Sequence, residues 1–120
     1  MSNICYYYFT VKALGKNLDI SPKKARIVSK IIKGMDVEKA LLYLAYIPKK
    51  ASVLIKKVLQ SAVSNAVNNN SEDLKNLYVK NVTVDKGISL KRIMYKGRGR
   101  FSFFSRTYSN IKIELGKKNT

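Results

Sequence analysis

The residues best suited to chemistry are cations, concentrated in the stretch Lys86–Lys112, which contains no Asp or Glu. Two glycines, Gly97 and Gly99, alternate with arginines there, which allows a tight turn and close approach of the backbone to a ligand. Arginine donors suit phosphates and guanine edges, and interleaved aromatic side chains can stack on unpaired bases. The pattern therefore indicates contact with nucleic acid. The eight basic residues are Lys86, Lys91, Arg92, Lys96, Arg98, Arg100, Arg106 and Lys112.

The chemistry of most enzymes is absent from this sequence, because it has no histidine and a single cysteine, Cys5. A His general base, a Ser–His or Cys–His pair, a His-ligated metal and an internal disulfide are all excluded. The seven acidic residues are scattered along the chain. An RNA-modifying enzyme is the remote alternative, since it would need a cofactor loop or a perturbed acid. We therefore expect no enzymatic activity, no catalytic residue, no metal and no cofactor.

The charge balance is extreme: 24 Lys and Arg against 7 Asp and Glu make a net charge of +17 in 120 residues. The self-repulsion of such a chain calls for an anionic partner, either nucleic acid or an acidic membrane surface. No apolar run approaches the about 20 residues that span a bilayer. The apolar tract Ile4–Phe9 lacks the flanks of a secretory signal and the arginines of a transit peptide. We expect a nucleic-acid partner and no membrane.

The first half of the chain predicts a strand over Val11–Leu18, followed by three helices. Ser21 and Pro22 are typical of a helix start, and Gly34 of a helix end. A second helix follows Asp36 and ends before Pro48. In the first helix we expect one apolar side, formed by Ile27, Val28, Ile31 and Ile32.

The third helix carries the clearest periodicity in the sequence and is predicted over Lys49–Asn68. Its apolar residues recur at intervals of three and four, which places them on one stripe. We interpret this stripe as a core face. Its members are Ala51, Ile55, Val58, Leu59, Ala62 and Ala66.

The second half of the chain alternates with a period of two over Leu77–Asp85 and Ser109–Leu115, which predicts antiparallel strands. The fold is expected to be α+β, a single domain over residues 1–120, with three helices packed on a small three-stranded antiparallel sheet. If the strands continue through residues 86–108, they form a β-hairpin that protrudes by ~30 Å. Such a ribbon is marginal alone in water and needs an outside surface. A solvated loop is the alternative.

A second basic cluster, Lys23, Lys24 and Arg26, lies in the first turns of the first helix. Cations at this end of a helix oppose its dipole by a few tenths of a kcal/mol each. Phosphates against these side chains would offset that cost. The alternative is that they are ordinary solvated residues on an exposed turn.

From about Val11 to Leu115, the chain resembles the bacterial-type large-subunit ribosomal protein L22 (uL22) family. The resemblance implies a globular domain at the outer surface of the large subunit, near the peptide exit. It also implies a long hairpin threaded through rRNA to line the exit tunnel. The blocks that carry it, in the order of the family, are Ile20–Arg26, Pro48–Ala51, Ser61–Ala66, Leu77–Val79, Leu90–Arg92 and Lys96–Arg100.

The resemblance implies large-subunit rRNA, the nascent peptide and other large-subunit proteins as partners, with an L4-like protein at the narrow point of the tunnel. The expected location is a ribosome in the bacterial cytoplasm or in an organelle of bacterial ancestry, because the excess of Lys over Arg and the frequent Asn and Ile indicate an A/T-rich genome. The expected tunnel tip comprises Met94, Tyr95, Lys96, Gly97, Arg98, Gly99, Arg100 and Phe101. The expected rRNA-binding residues are Lys12, Lys16, Lys23, Lys24, Arg26, Lys49, Lys50, Lys86, Lys91, Arg92, Lys96, Arg98, Arg100 and Arg106.

The predicted hairpin, residues 86–108, also differs from the family pattern. Tyr95 stands where proline is usual, and the apolar segment Phe101–Phe104 replaces a more charged return arm. This apolar segment can stack on bases or contact a neighbouring protein. A different class of binder, an architectural DNA protein, would insert such a basic arm into the minor groove. Arms of that kind commonly end in an apolar wedge, whereas this tip carries glycine and arginine.

Overall fold

The computed structural model describes residues 10–118, so Cys5 and the apolar tract Ile4–Phe9 lie outside the described residues. A short 3-10 helix, Leu74–Asn76, precedes the second strand. The described chain is an α+β fold with three α-helices and one three-stranded antiparallel sheet, as the sequence predicts. In order, the elements are β1 (Thr10–Leu18), α1 (Pro22–Ile32), α2 (Val37–Tyr46), α3 (Lys50–Asn70), β2 (Leu77–Tyr95) and β3 (Phe101–Lys117).

The third strand, β3, lies at the centre of the sheet, between β1 and β2. Both neighbours are antiparallel to it, with Val11 opposite Leu115 in β1 and Val84 opposite Ile111 in β2. The alternation predicted for β3 is confirmed, because Ile111, Ile113 and Leu115 are fully buried. This face of the sheet forms one core with the helices.

The apolar stripe predicted for α3 is confirmed, since all six of its residues are buried. The alanines allow α3 to pack closely against the sheet, and Gly15 of β1 allows the same close approach from the side of the sheet. A Cβ atom on Gly15 would lie 2.8 Å from Cγ2 of Val58. The helix also continues to Asn70, two residues beyond the predicted end, where Ser71 takes the left-handed conformation with φ of 53°.

The apolar side predicted for α1 is wrong in part. Ile27 and Ile31 are 52% and 41% exposed, whereas Val28 and Ile32 are buried. The buried face is rotated toward Ala25, because α1 packs on both β2 and α3 through small and β-branched residues. Sequence hydrophobicity could not distinguish the isoleucines that face the core from those that do not.

The predicted protruding hairpin is confirmed. The last pair between β1 and β3 is Leu18 with Ser109, while β2 and β3 stay paired as far as Tyr95 and Phe101. No residue from Asp85 to Tyr108 is buried. The radius of gyration is 18.1 Å, against about 14 Å for a compact chain of this length. The finger, residues 86–108, therefore extends beyond the core and has no core of its own.

The finger starts where the two outer strands each carry an extra residue against β3. The register shifts lie between Gly15 and Leu18 in β1 and between Lys86 and Ser89 in β2, both beside Ser109 of β3. Bulges of this kind bend a strand and increase its twist. They also exchange the faces on which the following side chains lie, since alternate residues of a strand face opposite sides.

Candidate nucleic-acid interface

Every basic residue predicted to contact rRNA has an exposed side chain in the structure. Most of them fall in three places: a groove at the base of the finger, the finger itself, and the outer face of the sheet. The groove has a volume of about 400 Å³ and lies between the start of α1, the start of α3 and β3. Cations distant in sequence meet there, because Lys24, Lys50 and Arg106 all line it.

One carboxylate, Asp19, also lines this groove. Its Oδ2 lies 2.7 Å from Nζ of Lys50, and the hydrogen bond from that lysine holds the pKa of Asp19 below its ordinary value of 3.8. Arg106 adds a smaller effect in the same direction. Asp19 offsets part of the local positive charge, and the groove keeps an excess of cations.

Two helix N-termini adjoin this groove, and they add backbone donors to the cations. The first turns of α1 and α3 contain no acidic residue, and neither Ser21 nor Lys49 makes a side-chain cap. In α2, by contrast, Glu38 occupies the first turn. Unsatisfied N–H groups at a helix start favour anions. Lys24, Lys49 and Lys50 also line a second groove beside Ala51, so the two helix starts are neighbours.

Some predicted contacts have a structural partner or lie elsewhere. The Nε and Nη2 atoms of Arg26 donate hydrogen bonds of 3.3 and 3.2 Å to the carbonyl oxygen of Val84, which ties α1 to β2. Lys12 lies on the outer face of the sheet, with Nζ 3.9 Å from Oε1 of Glu114. Lys112 approaches the same oxygen at 3.3 Å. The structure therefore does not bring Lys12 into the groove.

The other predicted cations outside the finger tip are distributed around these features. Lys16 lies in β1 next to the bulge, and Lys23 is in the first turn of α1. Lys86 pairs with Ser109 at the base of the finger. Lys91 lies farther out, opposite Ser105.

The finger has two faces of different composition. Cross-strand pairing places Ile93 opposite Phe103 and Tyr95 opposite Phe101, and we call these four residues the aromatic face. On the other side, the arginine face, Arg92 lies opposite Phe104 and Arg106 opposite Leu90. Met94, opposite Ser102, belongs to the arginine face.

The predicted tip is a tight turn in which every residue from Met94 to Phe101 is exposed. The backbone N–H of Lys96 donates to the carbonyl oxygen of Arg100 at 2.7 Å. Arg98 and Gly99 take the left-handed conformation, with φ of 61° and 70°. This conformation is natural for glycine and strained for arginine, so the turn directs the Arg98 side chain at a conformational cost.

Sequence reasoning missed Ile93 and Phe103 as members of one surface. Phe103 could have been found from the alternation of β3, which runs unbroken from Leu115 to Phe101. Ile93 could not have been found in this way, because the bulge between Lys86 and Ser89 decides the face on which it lies.

Among residues 10–118, no group of acidic or cysteine side chains is arranged to hold a metal ion. Every helix between residues 10 and 118 is too short or too polar to span a bilayer.

Residues 13–116 match the family described as Ribosomal protein L22p/L17e. The match includes the three helices, the whole finger and most of the sheet. The chain belongs to this ribosomal protein family. As a member of the L22p/L17e family it is a structural protein rather than an enzyme, in agreement with the absence of histidine.

Curated relatives of the L22p/L17e family show the same coverage. The protein named large ribosomal subunit protein uL22 from Carboxydothermus hydrogenoformans is 45% identical over 107 residues, 89% of this chain and 95% of that protein. The protein of that name from Desulfotalea psychrophila is 42% identical over 104 residues, 87% of this chain and 94% of its own length. The protein of that name from Desulforamulus reducens is 42% identical over 107 residues, which are 89% of this chain and 95% of that protein.

Proposed function

We propose that the protein is built into the large ribosomal subunit, where it binds large-subunit rRNA and lines the peptide exit tunnel with its finger. The observation that carries the proposal is the finger itself. It is free of acid from Lys86 to Ile113, and none of its residues is buried. An exposed cationic ribbon without a core gains a defined position only against a large polyanion. The relatives bear the name of a large-subunit protein, which agrees with rRNA as that polyanion.

The two parts of the interface have different tasks in this proposal. The groove at the base, with Lys24, Lys50, Arg106 and two helix starts, binds phosphates and holds the domain on the rRNA surface. The finger passes between rRNA segments and joins them. Its tip, with Lys96, Arg98 and Arg100, faces the tunnel, where it contacts the nascent peptide and an L4-like protein.

The proposed location follows from the same partners: the large subunit of a ribosome in the bacterial cytoplasm or in an organelle of bacterial ancestry. The three relatives named above come from bacteria.

Competition binding tests the choice of nucleic acid. The purified protein is offered large-subunit rRNA transcribed in vitro and duplex DNA of equal nucleotide concentration, at equal salt. We expect preference for the rRNA and, for about 6–10 bound phosphates, a loss of affinity of about 10³–10⁵ between 50 and 200 mM salt. Equal or tighter binding to duplex DNA would instead support an architectural DNA protein.

Amide hydrogen exchange tests the dependence of the finger on rRNA. In the free protein, amides of residues 89–107 should exchange much faster than those of α3, because no buried side chain holds this ribbon. In the complex with rRNA they should become protected. A finger as strongly protected as the helices without RNA would contradict the proposal.

A further inference from the structure

The aromatic face is a continuous apolar surface on a finger that carries basic residues and no acidic one. Phe103 is 66% exposed and Tyr95 is 83% exposed, with Ile93 and Phe101 completing the patch. Phe101 and Phe103 pack edge to face, with ring centroids 5.7 Å apart and planes at 87°. Exposed apolar patches of this kind mark interaction surfaces.

The strand register explains why these side chains share one side of the finger. β3 has no extra residue, so Phe101 and Phe103 lie on the same face of that strand as Ile111 and Ile113 of the core. In β2, the bulge at Gly87 brings Ile93 and Tyr95 to this face. Without the extra residue, Arg92 and Met94 would lie there instead. The bulge therefore places Ile93 and Tyr95, rather than Arg92 and Met94, beside Phe101 and Phe103.

The charges around the patch favour an anionic occupant. Lys91, on the same face, borders it toward the domain, and the cations of the turn border it at the tip. No carboxylate occurs in the finger to attract a basic protein surface. Unpaired nucleotides carry flat apolar bases and phosphates together, which matches an apolar patch between cations.

We propose that the aromatic face stacks on unpaired bases of the large-subunit rRNA, while the arginine face contacts its phosphates. This inference rests on the proposed rRNA binding and assigns a different chemistry to each side of the finger. Base stacking on an aromatic ring is insensitive to salt, whereas each phosphate contact adds to the salt dependence. The two faces are therefore separable by experiment.

The test compares adjacent residues on opposite faces in the full-length protein bound to its in vitro transcribed large-subunit rRNA. F103A should weaken binding by about 5- to 100-fold with an unchanged salt slope, and F103W should restore it. F104A, which removes the same side chain from the arginine face, should have a smaller effect than F103A. R92A should reduce the salt slope by about one.

Zero-length ultraviolet cross-linking identifies the occupant directly. In the reconstituted complex, nucleotide adducts should map to Tyr95, Phe101 or Phe103. Wild-type affinity and salt slope in F103A, or cross-links from these residues to protein alone in assembled subunits, would overturn the inference. A wild-type protein that does not prefer rRNA to duplex DNA would overturn the proposed function as well. If the wild type prefers rRNA and shows a steep salt dependence, and F103A changes neither its affinity nor its salt slope, only the assignment of the faces is overturned.

Discussion

The backbone N–H of Asn17 donates a 2.9 Å hydrogen bond to Oδ1 of Asn110, which joins the bulge of β1 to the central strand. The side chain of Asn17 in turn accepts a hydrogen bond from the backbone N–H of Ile88 at 3.4 Å. Asn17 takes the left-handed conformation, with φ of 52°, which asparagine tolerates better than most residues. These contacts clamp both bulges together at the base of the finger, where its direction is set.

Gly87 lies inside this clamp, and its substitution should disturb it. A Cβ atom there would lie 2.9 Å from Oδ1 of Asn17 and 3.0 Å from the carbonyl oxygen of Tyr108. We expect Gly87→Ala to lower the free energy of unfolding by about 1–3 kcal/mol, measured by chemical denaturation. The control is Gly97→Ala, because no heavy atom lies within 4 Å of a Cβ atom placed there. The free energy of unfolding of this variant should stay within about 0.5 kcal/mol of the wild-type value. Equal effects of both variants would argue against the clamp.

Neighbouring isoleucines of α1 test which face of this helix is buried. Ile32 is fully buried and Ile31 is 41% exposed. Ile32→Ala should cost about 2–5 kcal/mol of stability through reduced burial and a cavity, and Ile31→Ala about 1 kcal/mol or less. Thermal and denaturant unfolding measure both. Similar costs for the two variants would instead support the apolar side that the sequence pattern predicts, in which Ile31 and Ile32 are both buried.

The tip of the finger should be dispensable for folding. Met94 and Ser102 are cross-strand partners, so Tyr95–Phe101 can be replaced by an Asn-Gly turn that closes the hairpin at that pair. The free energy of unfolding should change by less than about 1 kcal/mol, since no buried side chain is removed. Circular dichroism during denaturation provides the measurement. Loss of the folded domain would show that the tip contributes to the core.

The groove at the base of the finger should account for part of the salt dependence of rRNA binding. Combining Lys24→Ala, Lys50→Ala and Arg106→Ala should weaken binding and lower the salt slope by about one for each phosphate that these side chains no longer bind. Lys39→Ala is the control, because Lys39 lies on α2 and pairs with Asp36 at 3.7 Å. An unchanged slope in the triple variant would exclude phosphate binding in the groove.

Asp36 should contribute to the acid sensitivity of the fold. A hydrogen bond from Lys118, with its Nζ 2.7 Å from Oδ1, holds the pKa of Asp36 below its ordinary value of 3.8. A carboxyl group whose pKa is lower in the folded state stabilises the protein at pH values above its pKa in the unfolded state. This stabilisation is lost as the pH falls through the pKa of the folded state. Asp36→Asn should therefore reduce the melting temperature at pH 7. The difference from wild type should shrink below about pH 4; a constant difference would contradict the ion pair.

Much of the fold follows from local patterns in the sequence. The stripe of α3 and the alternation of Ile111, Ile113 and Leu115 predict buried faces, because each follows from the geometry of its own helix or strand. The acid-free stretch between two predicted strands likewise indicated a protruding hairpin. The face of α1 did not follow, because hydrophobic residues surround more of that helix than its neighbours cover.

The site itself was predicted as a set of cations, and its division into surfaces was not. Lys24, Lys50 and Arg106 are far apart in the chain, and only the packing of α1 and α3 beside β3 brings them to one groove. Arg26 was predicted from the same cluster as Lys24, yet it bonds to the carbonyl oxygen of Val84. Residue type alone does not distinguish these roles.

The sequence alone determined that a cationic, acid-free ribbon extends between two strands, because charge and alternation are properties of consecutive residues. Only the tertiary structure decided which side chains share a face of that ribbon. One extra residue near Gly87 shifts the register of β2 against β3, and this brings Ile93, rather than Arg92, beside Phe103. The physical reason is that side chains alternate strictly along a strand, so a single inserted residue reverses the side of every residue that follows.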